Sequence, residues 1–236
     1  MNKIIFLLPV RSVMFILSCF LVSIILQKGF PEINNLWSII VSLCNIITII
    51  ILLYICKRER INYFDMIKYK KGNTKITTVI FVSILTLCIG FSEMYFAGFI
   101  CYDKFPYMPV MMLEPIPIVL SIINIFILPI TTTLAEDGLY LGIGVNQIKN
   151  KYAAIILSAF FYALQHSFIP FLPDIRFIIY RFISFLPLTI LFCIYYYRKR
   201  NPLPIMVGHF IINIATVFQI FIMSISPVLY ESIRNP

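Results

Sequence analysis

The sequence has little charge, few histidines and no closely spaced cysteines. Only 12% of its 236 residues are Asp, Glu, Lys or Arg, against about 25% in a typical soluble domain. The hydrophobic share is 61%, and apolar runs of about 20 residues recur along the chain. These features exclude an ordinary soluble domain. In lipid, backbone polar groups must be hydrogen-bonded within the protein, so only helices or a closed barrel can span the membrane. Because the apolar runs are continuous and do not alternate with polar residues, we expect an all-α, polytopic bundle of transmembrane helices.

The cysteines and the basic residues exclude two further classes. The six cysteines show no CxxC spacing, so neither a disulfide framework nor a cysteine-based metal site is expected. The net charge of +9 comes largely from short basic clusters between the apolar runs, which is typical of cytoplasmic loops. We therefore expect the chain to contact a lipid bilayer and not a nucleic acid.

The apolar runs predict about seven membrane-spanning helices. They cover residues 4–26, 36–56, 76–100, 111–134 with a continuation to about 145, 153–171, 177–197 and 203–225. Within one membrane domain, we divide the chain into N-terminal transmembrane helices, residues 1–110, and a helical core, residues 111–225.

The distribution of basic loops predicts the orientation. Placing residues 57–75 inside puts the N-terminus in the cytoplasm and the C-terminus outside, and every basic cluster agrees with this choice. Loop 101–108 then lies outside. Arg11, in the first span, is expected to extend its charge to the inner surface. A composition rich in Ile, Lys, Asn and Phe is compatible with an AT-rich bacterial genome, so we expect a multi-pass protein of a bacterial cell membrane.

Ionisable residues are rare inside the predicted helices, and four of them stand out. The only two histidines, His166 and His209, both lie in apolar segments, and Glu136 and Asp137 are adjacent in the fourth span. A single buried histidine is more typical of a helix–helix hydrogen bond. Because ionisable residues are costly in a membrane and usually mark functional sites, the coincidence of all four favours one shared site.

Helical geometry limits how these residues meet. At ~1.5 Å per residue, Glu136 and His166 lie at similar depths, roughly 20–25 Å from the loop near Lys149, whereas His209 is only about 13 Å deep. Either the connection before His209 dips inward, or the fourth and fifth spans tilt or unwind. Adjacent helical residues point about 100° apart, so one of the two acids is expected to be the chemical group and the other its structural partner.

Spacing adds supporting residues to the predicted site. Three pairs are separated by i,i+4 and share a helix face, namely Glu136 with Tyr140, Tyr162 with His166, and His209 with Asn213.

These residue types suit the activation of water. A carboxylate held away from bulk water is a stronger base than one in water, and an imidazole can orient the attacking molecule. A histidine with an asparagine amide can donate hydrogen bonds to an oxyanion. Alternatively, Glu136, His166 and His209 bind a zinc ion that polarises the water. The sequence has no HExxH motif, and it leaves metal-dependent and metal-free catalysis both open.

Three short segments resemble a known family. The stretches "AEDGLYLG", "YALQH" and "GHFIIN" resemble, in order and spacing, the motifs EExxxR, FxxxH and HxxxN or HxxxD of the CPBP (Abi) intramembrane proteases. This family includes the type II CAAX prenyl endopeptidases, and the resemblance covers about residues 131–216. It implies an endopeptidase in a multi-pass helical bundle, with a catalytic core in residues 111–225 and a peptide or membrane-protein substrate.

The resemblance assigns roles residue by residue. It implies that Glu136 and His166 activate the water and that His209 and Asn213 stabilise the oxyanion. Asp137 stands at the position of the second glutamate.

The sequence departs from the motifs at two further positions. Tyr162 replaces a phenylalanine, and Leu141 replaces the motif arginine. Because Leu141 removes a charge that could have paired with the second carboxylate, Asp137 is expected to find another cation, by hypothesis Arg181. The loss also keeps open an inactive scaffold or a bacteriocin-immunity or regulatory protein. A proton-coupled transporter is a further alternative, since membrane carboxylates and histidines also build proton relays.

The remaining charges in the predicted spans lie near their outer ends. Glu93 and Glu114 are expected to be solvated or to pack against neighbouring helices. Arg176 and Arg181 are expected to be interface anchors, and a position of Arg181 facing the cavity is the less favoured alternative.

Overall fold

The structure is a computed structural model that describes residues 3–72, 74–107 and 109–235. The predicted cytoplasmic N-terminus and Met108, which ends a predicted outer loop, lie outside the described residues. Throughout the described part of the chain the secondary structure is helical, with no strand. The prediction of an all-α fold is therefore confirmed.

The helices follow one another along the chain with short connections. The α-helices are α1 (Val10–Leu26), α2 (Trp37–Glu59), α3 (Tyr63–Met66), α4 (Ile76–Tyr102), α5 (Ile118–Thr132), α6 (Lys151–His166), α7 (Ile175–Ile183), α8 (Leu186–Lys199), α9 (Leu203–Ile225) and α10 (Pro227–Arg234). A π-helix, Thr133–Val145, continues α5 without a break and is called the π segment below. Short 3₁₀ helices occupy Lys3–Leu7, Phe30–Leu36 and Val110–Leu113.

Among the described residues, six helical stretches are long and apolar enough to cross a membrane. They are Ile5–Leu26, Phe30–Glu59, Ile76–Tyr102, Ile118–Val145, Ile175–Lys199 and Leu203–Ile225. The predicted span 153–171 corresponds to α6, which ends at His166 and has only 16 residues. The protein is thus a polytopic helical membrane protein, with six long apolar spans and the shorter α6 in place of the seven predicted.

Prolines explain two differences from the predicted helix boundaries. The span expected at 177–197 is divided into α7 and α8 because Pro187 lies in the first turn of α8, where its missing N–H is tolerated although it cannot continue a preceding helix. The span expected from 111 begins as an α-helix only at Ile118, directly after Pro117.

The π segment follows a proline inside α5. Pro129 cannot donate a backbone hydrogen bond, and the hydroxyl of Thr133 donates to its carbonyl oxygen at 2.7 Å. Tyr63, between the long helices α2 and α4, donates its hydroxyl to the carbonyl of Leu134 at 2.6 Å. Burial, and next the Asp137 carboxylate, raise the pKa of Tyr63, so the phenol keeps the proton that it donates. Two side-chain hydroxyls thus donate to backbone carbonyls near the start of the π segment.

The π segment lies in the middle of the bundle. It contacts α2, α5, α6, α8 and α9, and all its residues except Leu134 are buried. A side chain at Gly138 would collide with Leu52 and Tyr63, so glycine permits the close approach of α2 there. By contrast, α1, α2 and α4 expose large apolar side chains such as Leu17, Ile50 and Phe81, as expected of surfaces that face lipid. The adjacent acids Glu136 and Asp137, which belong to this segment, thus lie in the middle of the bundle.

Candidate active site

The structure brings Glu136 and both histidines together from three helices. Glu136 lies in the π segment, His166 is the last residue of α6, and His209 lies in the first half of α9. Glu136 Oε2 is 3.6 Å from His166 Nε2 and 3.8 Å from His209 Nε2. Near its loop the fourth span is a π-helix, Thr133–Val145, so it departs there from the straight α-helix that the comparison of depths assumed.

The two oxygens of Glu136 have different surroundings. Oε1 accepts a hydrogen bond from Arg11 Nη2 at 2.9 Å, whereas Oε2 is buried and has no hydrogen-bond partner among the described residues. The side chain itself is fully buried. One oxygen therefore fixes the orientation of the carboxylate, and the other remains free between the two imidazole rings.

Arg11 is a residue of this site, which the sequence analysis missed. Its guanidinium is 1% exposed and also donates to Gln165 Oε1 at 2.5 Å, Thr48 Oγ1 at 2.8 Å and Asn45 Oδ1 at 2.8 Å. The expectation that Arg11 extends to the inner surface is wrong. Its charge is met inside the bundle by Glu136 and three neutral acceptors, so it does not need to reach water.

Asp137 holds the opposite edge of His209. Its Oδ1 accepts a hydrogen bond from the Tyr162 hydroxyl at 2.9 Å and lies 3.4 Å from His209 Nδ1. The same hydroxyl is 3.1 Å from His209 Nδ1. The hypothesis that Asp137 pairs with Arg181 is wrong, because a tyrosine and a histidine take that place. His209 thus presents Nδ1 to Asp137 and Nε2 to Glu136.

Asn213 and the two tyrosines surround this centre. Asn213 lies one turn after His209 on α9, and its amide donates to the carbonyl of His209 at 2.9 Å. The rings of Tyr140 and Tyr162 stack with centroids 4.5 Å apart. The hydroxyl of Tyr140 lies 3.3 Å from Gln165 Oε1, the acceptor that also binds Arg11. The tyrosines therefore connect the acid pair to the residues that hold it.

A cavity of about 150 Å³ opens beside these residues. Glu136, His166, His209 and Asn213 line one part of it, and most of its other lining residues are apolar and come from several parts of the chain, including α2, α4, α5, α8 and α9. This space is well above the minimum that a cavity needs to hold one water molecule. Water can therefore reach the side chains of Glu136 and His166.

Two further charged residues line this cavity. Glu93 is buried and accepts a hydrogen bond from the backbone N–H of Leu188 at 2.9 Å. Of the two positions expected for Glu93, the structure therefore shows packing against a neighbouring helix and not exposure to solvent. Arg181 is also buried, with its guanidinium carbon 4.7 Å from the centroid of Phe185, so the expectation that it is an interface anchor is wrong. The Phe185 ring stacks on His166 at 3.7 Å. The rule that ionisable residues within spans mark functional sites could have identified both.

The alternative of a zinc site receives no support from the arrangement of its predicted ligands. Within the described residues, no group of three or more His, Cys, Asp or Glu side chains is placed to hold a metal ion. In addition, the Arg11 guanidinium on Glu136 puts a positive charge next to the carboxylate that a divalent cation would need. Metal binding by Glu136, His166 and His209 therefore stays a prediction, and the position of Arg11 argues against it.

The comparison with known families agrees with the resemblance in the motifs. Residues 118–215 match the family described as Type II CAAX prenyl endopeptidase Rce1-like. The matched region begins with α5, ends within α9 and contains Glu136, His166, His209 and Asn213. The predicted similarity to the CPBP family is thus confirmed, at the level of an intramembrane protease family. No curated protein and no solved structure matches the chain significantly.

Proposed function

Starting from this similarity to type II CAAX prenyl endopeptidases, we propose that the chain is an intramembrane endopeptidase in which Glu136 and His166 activate a water molecule. One observation carries the proposal. The buried, unpartnered Oε2 of Glu136 faces the Nε2 atoms of both histidines at the edge of a cavity. An oriented carboxylate beside an imidazole has the arrangement that general base catalysis requires.

The reaction follows from this geometry. The attacking water binds between Glu136 Oε2 and His166 Nε2, and Glu136 takes its proton as the oxygen attacks the peptide carbonyl. The tetrahedral intermediate then collapses, the C–N bond breaks, and the proton passes to the leaving amine. Atoms and charge balance without a covalent enzyme intermediate, since water supplies the oxygen of the new carboxyl group.

His209 and Asn213 stabilise the oxyanion in this proposal. Glu136 Oε2 and Asp137 Oδ1 lie beside the two ring nitrogens of His209, and a ring that carries its proton on Nε2 can donate that N–H to the oxyanion. Asn213 has a second amide N–H besides the one bonded to the carbonyl of His209. Two donors at a developing oxyanion stabilise the transition state electrostatically, and this effect commonly contributes more to catalysis than any other.

Arg11 bears on the alternative of an inactive scaffold. That alternative relied on Leu141, which removes the arginine of the motif. In this chain a guanidinium from α1 reaches the acid pair and contacts Glu136 directly. The site therefore retains a cation, and the leucine does not by itself argue for an inactive protein.

The test is peptide cleavage by the purified protein in liposomes. A library of apolar peptides is incubated in ¹⁸O-labelled water, and the products are identified by mass spectrometry. Wild type and Glu231→Gln, which changes an exposed carboxylate, are expected to give the same products, with one ¹⁸O atom in each new carboxyl terminus. His166→Ala is expected to give none. Peptides that bind to folded wild type without any cleavage would support the scaffold instead.

A further inference from the structure

One buried charge of the cavity has no counterion. Arg181, on α7, is 2% exposed, and no carboxylate among the described residues lies within 4.0 Å of its guanidinium. The two carboxylates that line the same cavity have other partners. Glu136 accepts from Arg11, and Glu93 accepts from the backbone N–H of Leu188. The guanidinium thus lacks the neutralisation that a charge in a membrane bundle normally has.

Most hydrogen-bond donors of Arg181 are also unused. A guanidinium has five N–H donors, but only Nε donates within the described part of the chain, in a long 3.4 Å bond to the carbonyl of His166. The Phe185 ring contacts the guanidinium 4.7 Å away, which provides a cation–π interaction but no acceptor. An uncompensated buried charge costs several kcal/mol, so a missing anionic partner is the simplest explanation.

The position of Arg181 relates that partner to the reaction. Phe185 contacts the guanidinium and also stacks on His166 at 3.7 Å. Arg181 is therefore one aromatic ring away from the water-activating histidine, and all three residues line the same cavity. An anion bound by Arg181 would lie beside the peptide that the site attacks.

We propose that Arg181 binds a carboxylate of the substrate within this cavity. That the substrate is cleaved rests on the proposed function, whereas the carboxylate site does not. The planar fork of arginine matches a carboxylate through two parallel hydrogen bonds. The carboxylate belongs either to the chain terminus or to an Asp or Glu side chain.

The inference is tested by binding alone. The probe is a fluorescently labelled apolar tetrapeptide in two versions, one with a carboxylate and one with a carboxamide terminus. Anisotropy measures its affinity for the full-length protein in nanodiscs. Wild type should bind the carboxylate at least tenfold more tightly, since hydrogen bonds to charged groups are worth a factor of this order. Equal affinity for the two probes overturns the proposal.

Variants assign the preference to one residue. Arg181→Gln should remove it, whereas Arg176→Gln, an exposed arginine on the same helix, should retain it. A preference that survives in folded Arg181→Gln overturns the assignment. If Arg181→Gln does not fold, Arg181→Lys replaces it and should weaken the preference several-fold, because lysine keeps the charge but not the fork. An unchanged preference in folded Arg181→Lys counts against the proposal.

Two more probes separate the sources of the carboxylate. Both are amidated, and they carry Glu or Gln at the last position. If Arg181 recognises a side-chain carboxylate, the Glu probe binds more tightly than the Gln probe. If it recognises only the chain terminus, the Glu and Gln probes bind with equal affinity, and only the probe with the free carboxylate terminus binds more tightly than its carboxamide version. Binding of the probes does not require that they are cleaved. If wild type prefers the carboxylate probe but cleaves no peptide, the proposed peptidase activity is rejected and the Arg181 site is not. Cleavage without a preference rejects the Arg181 site alone.

Discussion

At the scale of single residues, charges inside this membrane protein are paired or face one cavity. Arg11 and Glu136 form an ion pair at 2.9 Å that is almost completely buried. Removing one partner of such a pair leaves the other charge uncompensated, which costs about 3–5 kcal/mol. The pair therefore contributes to both the fold and the orientation of the proposed base.

Arg11→Leu is predicted to lower the melting temperature in detergent and to slow cleavage at least tenfold, because the Glu136 carboxylate loses its charged partner. Arg58→Leu, an exposed arginine of α2, is the matched control and should change neither. Adding Leu141→Arg to Arg11→Leu should restore part of the rate, since position 141 lies about one π-helical turn from Glu136. A full rate in Arg11→Leu alone contradicts the role given to this residue.

Asn213→Ala is predicted to lower kcat by roughly 10²-fold with little change in KM, because it removes a donor that acts mainly in the transition state. Thr216→Val is the control on the same helix. Thr216 makes a corresponding hydrogen bond to a carbonyl four residues earlier. Steady-state kinetics with one cleaved peptide measures both constants. Equal losses in the two variants would point to the helix and not to the oxyanion.

The sequence alone could predict part of this site. Glu136, His166 and His209 are found by one rule, that ionisable residues inside membrane spans are functional, and the structure brings both histidines within 4 Å of the glutamate. The role of Arg11 could not be predicted. Its position near the end of a span equally suits a side chain that reaches the surface, and only the packing of α1 against its neighbours in the bundle decides between these positions.

At the scale of helices, the π segment determines how the acid pair is presented. It begins four residues after Pro129, the proline inside α5. Its packing depends on Gly138, where a Cβ atom would lie 2.8 Å from Leu52 Cδ1 and 2.7 Å from the Tyr63 hydroxyl. Both distances are too short for real contacts, so a larger residue must shift the segment or its neighbours.

Gly138→Ala is predicted to destabilise the protein by about 1–3 kcal/mol, the usual cost of overpacking, and to slow cleavage because Asp137 is the adjacent residue. Thermal unfolding in detergent and the cleavage rate measure the two effects. Gly29→Ala is the control, since a Cβ atom there has only ordinary contacts. The packing argument fails if both variants unfold at the same temperature.

Helix existence was easier to predict than helix boundaries. Apolar runs located every long span, because length and hydropathy are properties of the sequence itself. The end of α6 at His166, the break between α7 and α8, and the change from α5 to the π segment depend on prolines and on contacts between helices. Pro187 and Pro129 show in the sequence itself that a helix is interrupted near them. The type of distortion that results depends on packing between helices.

At the scale of the whole molecule, apolar helices surround one polar centre beside a cavity. The fold class and the multi-pass membrane character were predicted from composition and are confirmed. The cytoplasmic position of the N-terminus, the bacterial origin and the division at residue 110 stay predictions. The cavity was not predictable in shape, because it is formed by side chains from distant regions of the chain.

Metal removal tests how the whole site works. Cleavage by purified protein is predicted to remain within about twofold of its rate after treatment with EDTA or phenanthroline, because Arg11 already neutralises Glu136. Elemental analysis of the same sample should find far less than one zinc atom per molecule. Loss of activity with chelator and its return with added zinc would reinstate Glu136, His166 and His209 as metal ligands.

The central claim is that Glu136 activates the water that cleaves the peptide. It is tested most directly by the cleavage rate of Glu136→Gln, which keeps the size of the side chain but removes the base, next to the exposed-residue control Glu231→Gln. The account predicts a rate about 10³-fold below wild type for Glu136→Gln and an unchanged rate for the control. A folded Glu136→Gln protein that cleaves within about tenfold of the wild-type rate would contradict it.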